Sequence, residues 1–166
     1  ESSVAVETQL PTQQIIPETS TEPVLEENTQ IAKKNPAATQ GQTALWAYTA
    51  YGEGVVLTAY YGTAADVYVP ATIDGYPVIK LGEELFRDND GLNSVTLGEG
   101  ILEIGAGAFY DADNLVCIVT SESLTTIGAE AFYSCDMFNS VILYDALETI
   151  GENAFSECPG LTIWCN

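Results

Sequence analysis

The sequence predicts an α/β repeat solenoid of 23-residue units, with parallel strands on one face and short helical turns on the other. Three observations predict it. Leu81-Gly82, Ile104-Gly105, Ile127-Gly128 and Ile150-Gly151 recur at 23-residue intervals. Phe86, Phe109, Phe132 and Phe155 keep the same interval, and so do Leu92, Leu115, Phe138 and Leu161. Between these landmarks each unit carries an alternating apolar pattern, such as Val95 and Leu97, which is the period of a strand. A single unit of this size cannot bury its own apolar face, whereas stacked units close a shared core.

The elements follow in chain order. Residues 1–43 hold Pro11, Pro17, Pro23 and Pro36 among Thr, Gln and Glu, and contain no aromatic residue. That composition offers too little apolar surface to offset chain entropy, and it reads as a tail or linker. Part of it, Val4 to Leu10 or Gln13 to Ile16, is expected to lie against the solenoid or a neighbouring molecule. Residues 44–166 form the repeat domain. Within it, 44–66 read as a β-hairpin cap, because aromatic-rich runs flank Gly52-Glu53-Gly54. The repeats occupy about 67–166. Each begins with a strand, continues through a polar turn and an apolar step such as Ile101 and Ile104, and reaches an Ala-Phe pair on a short helical turn.

The register assigns side chains to faces, because alternate strand residues point to opposite sides. Val95, Ile118, Val141 and Trp164 are expected to share one inward position, and Leu97, Thr120 and Leu143 a second. The outward row is then Thr96, Val119, Ile142 and Cys165, with Tyr68 continuing it. Beside it run Ser94, Cys117, Ser140 and Ile163. Exposed Tyr68, Val119 and Ile142 next to Thr96, Cys117 and Ser140 make this strand face the candidate binding surface. The competing explanation is simple β-propensity on half-exposed strands. Tyr110 and Tyr133 share a register on the opposite surface and are a possible aromatic contact. Arg87 and Ser156 stand where further rings would extend that row.

Acidic residues also stack in register: Asp90, Asp113 and Asp136; Asp88, Asp111 and Glu157; Glu99, Glu122 and Asp145. Like charges this close repel, which makes Asp90, Asp113 and Asp136 weak calcium candidates. Solvated turn residues explain the same pattern without a metal.

Charge excludes other functions. Acidic residues number 24 against four basic ones, and the net charge is −20. Nucleic-acid binding requires a basic footprint, and anionic lipid requires the same. No apolar run spans a bilayer, so no membrane insertion by this chain is expected. The absence of histidine removes histidine-dependent triads and most zinc sites.

The run Ile104-Gly105-Ala106-Gly107-Ala108-Phe109, repeated as Ile127 to Phe132 and Ile150 to Phe155, resembles the BspA-type leucine-rich repeat family. Cys135 and Cys158, three residues after their phenylalanines, match it as well. Val69 to Val78 looks like that family's approach to its first full repeat. The resemblance covers roughly Tyr48 to Cys165, with Asn89 and Ala112 replacing the cysteine in the first two units. It implies a right-handed leucine-rich-repeat array, secreted or on the bacterial cell surface, with adhesion or host binding as the role. It implies no cofactor and no shared active site. The expected function is therefore an extracellular or cell-surface binding module that recognises a host or microbial protein or glycan through the strand face, and not an enzyme. A structural spacer without a ligand is the alternative, and an acidic glycoside hydrolase a remote one, since paired carboxylates are plentiful. The chain stops just after a strand with no evident cap, so a truncation or a following domain is expected.

Register and the resemblance together predict four free thiols, with Cys135–Cys158 the one bridge left open. The resemblance implies that Cys135 and Cys158 point into the core, in parallel, and register puts Cys117 and Cys165 too far apart to bridge.

Overall fold

A computed structural model describes residues 40–166. The expected contacts of Val4 to Leu10 and Gln13 to Ile16 lie outside the described residues. The domain is a β-solenoid with two sheets. One runs β1 (Gln40–Gln42), β2 (Trp46–Tyr51), β3 (Gly54–Tyr60), β6 (Tyr76–Leu81), β8 (Glu103–Ile104), β10 (Thr126–Ile127) and β12 (Thr149–Ile150), with β5 (Thr72–Ile73) paired to β6. The other runs β13 (Thr162–Cys165), β11 (Ser140–Leu143), β9 (Cys117–Val119), β7 (Ser94–Leu97) and β4 (Asp66–Val69). Every pair in the second sheet is parallel. In the first, β1, β2 and β3 are antiparallel, and the pairing is parallel from β3 to β12. The first described strand, β1, lies antiparallel along β2.

The expected helical turns are absent: no helix forms among the described residues, so the domain is a β-solenoid and not α/β. The reason lies in the third side of each turn. A helix needs each N–H to bond the carbonyl four residues back. Here alternate amides bond across turns, and those between them bond only three residues back, as Arg87 to Glu84 and Tyr110 to Gly107 at 3.1 and 3.0 Å. Phe86, Phe109 and Phe132 donate to Ala108, Ala131 and Ala154 of the next turn at 2.7, 2.7 and 2.8 Å. Asp88 and Asp111 donate to Tyr110 and Tyr133 at 2.9 and 3.0 Å. Two left-handed residues per turn aim these amides along the solenoid axis. One column is Glu84, Gly107, Glu130 and Asn153, and the other is Asp88, Asp111, Ser134 and Glu157, all with φ between 50° and 59°. The second acidic ladder of the sequence is therefore a backbone column. Asp tolerates the left-handed region better than most residues.

The core is a single cluster. Phe86, Phe109 and Phe132 are buried and Phe155 partly so, and they stack ring on ring at centroid separations of 5.1, 4.9 and 5.3 Å. Trp46 and Tyr60 of the β2–β3 hairpin continue the column against Phe86, at 6.0 and 5.4 Å. Thr120 stands among leucines in the second inward column. Its hydroxyl donates to the Ile142 carbonyl at 2.7 Å, which makes its burial tolerable. Ser121 is buried on the same terms, donating to Ile101 O at 2.6 Å.

All four cysteines are free. Buried Cys135 and half-buried Cys158 each donate from Sγ to the carbonyl of the phenylalanine one turn earlier, Phe109 at 3.0 Å and Phe132 at 2.9 Å. The Cys158 sulfur beside it and burial push the Cys135 thiol up, so it stays protonated.

Tyr48 gives the fold an alkaline limit. Its hydroxyl donates to Asp74 Oδ2 at 2.6 Å, tying the hairpin to the β5–β6 turn. That bond first, and burial second, raise its pKa from 10.0 to about 12. The native state holds this proton more tightly than the unfolded chain does. The contribution is therefore complete below pH 10 and is lost as pH rises toward about 12. In chemical denaturation at stepped pH, Tyr48→Phe should flatten the fall in stability across that window. An unchanged slope would assign the alkaline sensitivity to another group.

Candidate functional site

The outward face of β4, β7, β9, β11 and β13 is where the sequence placed the site. The register pairs Tyr68 with Thr96, Thr96 with Val119, Val119 with Ile142, and Ile142 with Trp164. A second row pairs Asp66, Ser94, Cys117, Ser140 and Thr162. All six predicted strand-face residues, Tyr68, Thr96, Cys117, Val119, Ser140 and Ile142, therefore occupy one surface. Beneath them Val67, Val95, Ile118 and Val141 form the buried column.

The last strand departs from expectation by one residue. Trp164 pairs with Ile142, not Val141, and is 59% exposed. Ile163 takes the inward register, and Cys165 falls in register with Leu143 instead of the outward row. In earlier units two residues separate the leucine from the inward valine or isoleucine, as in Leu92-Asn93-Ser94-Val95. Leu161 and Ile163 are separated by Thr162 alone. Counting 23 residues carries Trp164 into the core, whereas the alternation of Leu161, Ile163 and Cys165 in this unit points it out.

Trp164, Thr162 and Asp66 are thus the face residues that repeat counting missed. Asp66 Oδ1 accepts from Ser94 Oγ at 2.6 Å and from Asn93 Nδ2 at 3.0 Å. These two bonds hold its carboxyl below the ordinary carboxylate range.

Tyr110 and Tyr133 stack on the opposite surface at 5.1 Å and 16°. Arg87 does not break this row. Its guanidinium lies over the Tyr110 ring at 4.3 Å and pairs with Glu84 at 2.8 Å. A cation caps the aromatic stack where a third ring would stand. Asp90, Asp113 and Asp136 are exposed, and among the described residues no three acidic or thiol groups converge on a point that could hold a metal ion.

Residues 71–164 match the BspA type leucine rich repeat region in six copies. The chain belongs to that family. Solved structures agree. A leucine-rich repeat protein from Bacteroides capillosus superposes with a TM-score of 0.69 at 25% identity, over 77% of this chain and 99% of that one. The T. pallidum leucine-rich repeat protein TpLRR matches at 0.57 and 26%, over 75% and 70%. The pneumococcal vaccine antigen PcpA matches at 0.56 and 26%, over 70% of this chain and 30% of that protein. Among curated proteins none matches significantly. The repeat architecture and the family are settled by this agreement.

Proposed function

We propose that this chain is a non-catalytic binding module of a bacterial surface protein, and that it recognises a host or microbial protein or glycan through the β4–β13 strand face. One observation carries the reading. Tyr68, Thr96, Val119, Ile142 and Trp164 form an unbroken outward row across five strands, with Tyr68 63%, Val119 39% and Trp164 59% exposed. Exposed aromatic and branched side chains aligned on a rigid sheet are the composition of an interaction surface. The β2–β3 hairpin acts as the N-terminal cap of the core, because Trp46 and Tyr60 cover Phe86. Kinship with a pneumococcal vaccine antigen supports a location at the cell surface.

Arrays of extracellular-matrix proteins and glycans, probed with the purified chain, identify the ligand. Val119→Asp and Ile142→Asp should each abolish the binding while leaving the thermal melt almost unchanged, because both side chains point away from the core. Parental affinity in both variants would move the site off this face.

A further inference from the structure

Resting on the strand-face reading, we propose that the partner is a basic, extended polypeptide segment. It lays apolar side chains along the Tyr68–Trp164 row and reaches flanking carboxylates with Lys or Arg. Charge is nearly missing from this face. The chain carries a net −20, yet of the ten outward positions on this face only Asp66 holds an acid, and that acid is engaged by Ser94 and Asn93. The remaining nine positions are aromatic, aliphatic, hydroxyl or thiol.

Acids return at both ends of the strands, in register. Asp90, Asp113 and Asp136 precede β7, β9 and β11, and Glu99, Glu122 and Asp145 follow them. All six are exposed. None is paired with a cation among the described residues, because Lys80 pairs with Glu103 and Arg87 with Glu84 and Asp88. Desolvation, then Asp136 and Asp90, push the Asp113 carboxyl up, so the ladder members sense one another. A neutral stripe between two rows of unpaired carboxylates complements a segment with an apolar centre and cationic flanks.

Dimensions agree with an extended chain. Five strands about 4.8 Å apart span about 19 Å, the length of roughly six extended residues. An anionic glycan would meet repulsion at both edges. A neutral glycan would leave the carboxylates without partners.

The test uses Trp164, exposed in the row, as reporter, because Trp46 is 5% exposed and answers little to solvent. The probe is a synthetic peptide alternating Lys with Leu and Tyr. Two further peptides replace every Lys with Glu or with Ser. The lysine peptide should shift Trp164 emission to the blue and bind saturably, losing roughly tenfold in affinity between about 50 and 300 mM salt. Asp90→Asn/Asp113→Asn/Asp136→Asn should weaken it roughly tenfold. The charge-matched control Glu53→Gln/Glu148→Gln/Glu152→Gln should not. Equal weakening by both triple variants would reduce the effect to bulk charge and overturn the proposal. Saturable binding of the serine peptide or a neutral glycan at Trp164, without the lysine peptide, would keep the strand face and overturn its basic partner. Array ligands that bind without moving Trp164 emission would overturn the face itself.

Discussion

Phe132→Ala is expected to cost about 4 kcal/mol of folding stability, the middle of the range for buried aromatic truncations. Phe132 is fully buried, and its ring meets three others: Phe109 at 4.9 Å, Phe138 at 5.0 Å and Phe155 at 5.3 Å. Deleting it removes the contact surface of two turns at once, and the neighbouring backbone cannot collapse into the void. The amides of Phe109 and Phe132 are already committed to carbonyls of the following turn. Solenoid stability is carried by nearest-neighbour interfaces, so the break should also split unfolding into two transitions. Phe155→Ala supplies the comparison. Its ring is only partly buried at the end of the column, and the loss should be about 2 kcal/mol. Urea denaturation of both variants measures the difference. Equal losses would mean that the column does not share its energy as described.

Gly128→Ala should cost roughly 3 kcal/mol, from overpacking against backbone and not from lost conformational freedom. A Cβ at Gly128 would lie 2.5 Å from Ala106 N, 2.7 Å from Gly105 C and 2.8 Å from Ala106 Cα. Those atoms belong to the preceding turn, which its own ladder bonds hold in place. Gly105 meets the same obstacle from Gly82 C and Leu81 O, both at 2.7 Å. The Ile-Gly recurrence therefore marks a column where successive turns touch through their backbones. Gly160→Ala is the control: a Cβ there has nothing within 4 Å, and the change should stay within about 0.5 kcal/mol. Thermal melts of the two variants decide the matter. A Gly128→Ala protein as stable as the parent would show that the turns can separate without penalty.

The sequence alone determined whatever repeats in a constant register. Phe86 to Phe155 stack because equal spacing on a stacked chain puts equal positions in contact. The same arithmetic placed Thr96, Val119 and Ile142 in one outward row beside Ser94, Cys117 and Ser140, and left the cysteines free. Tertiary structure decided what depends on a neighbour's geometry. Glu84, Asp88 and their successors adopt the left-handed region because the next turn offers carbonyls to the amides they redirect, and this replaces a helical turn with a third ladder. Arg87 stands one repeat before Tyr110, so register puts it in that row, but only the packed turns lay its guanidinium over the ring at 4.3 Å. Trp164 faces out because β13 pairs one residue early with β11. Strand alternation ties side-chain direction to register, so a single residue removed between Leu161 and Ile163 exchanges the inner and outer faces of everything after it.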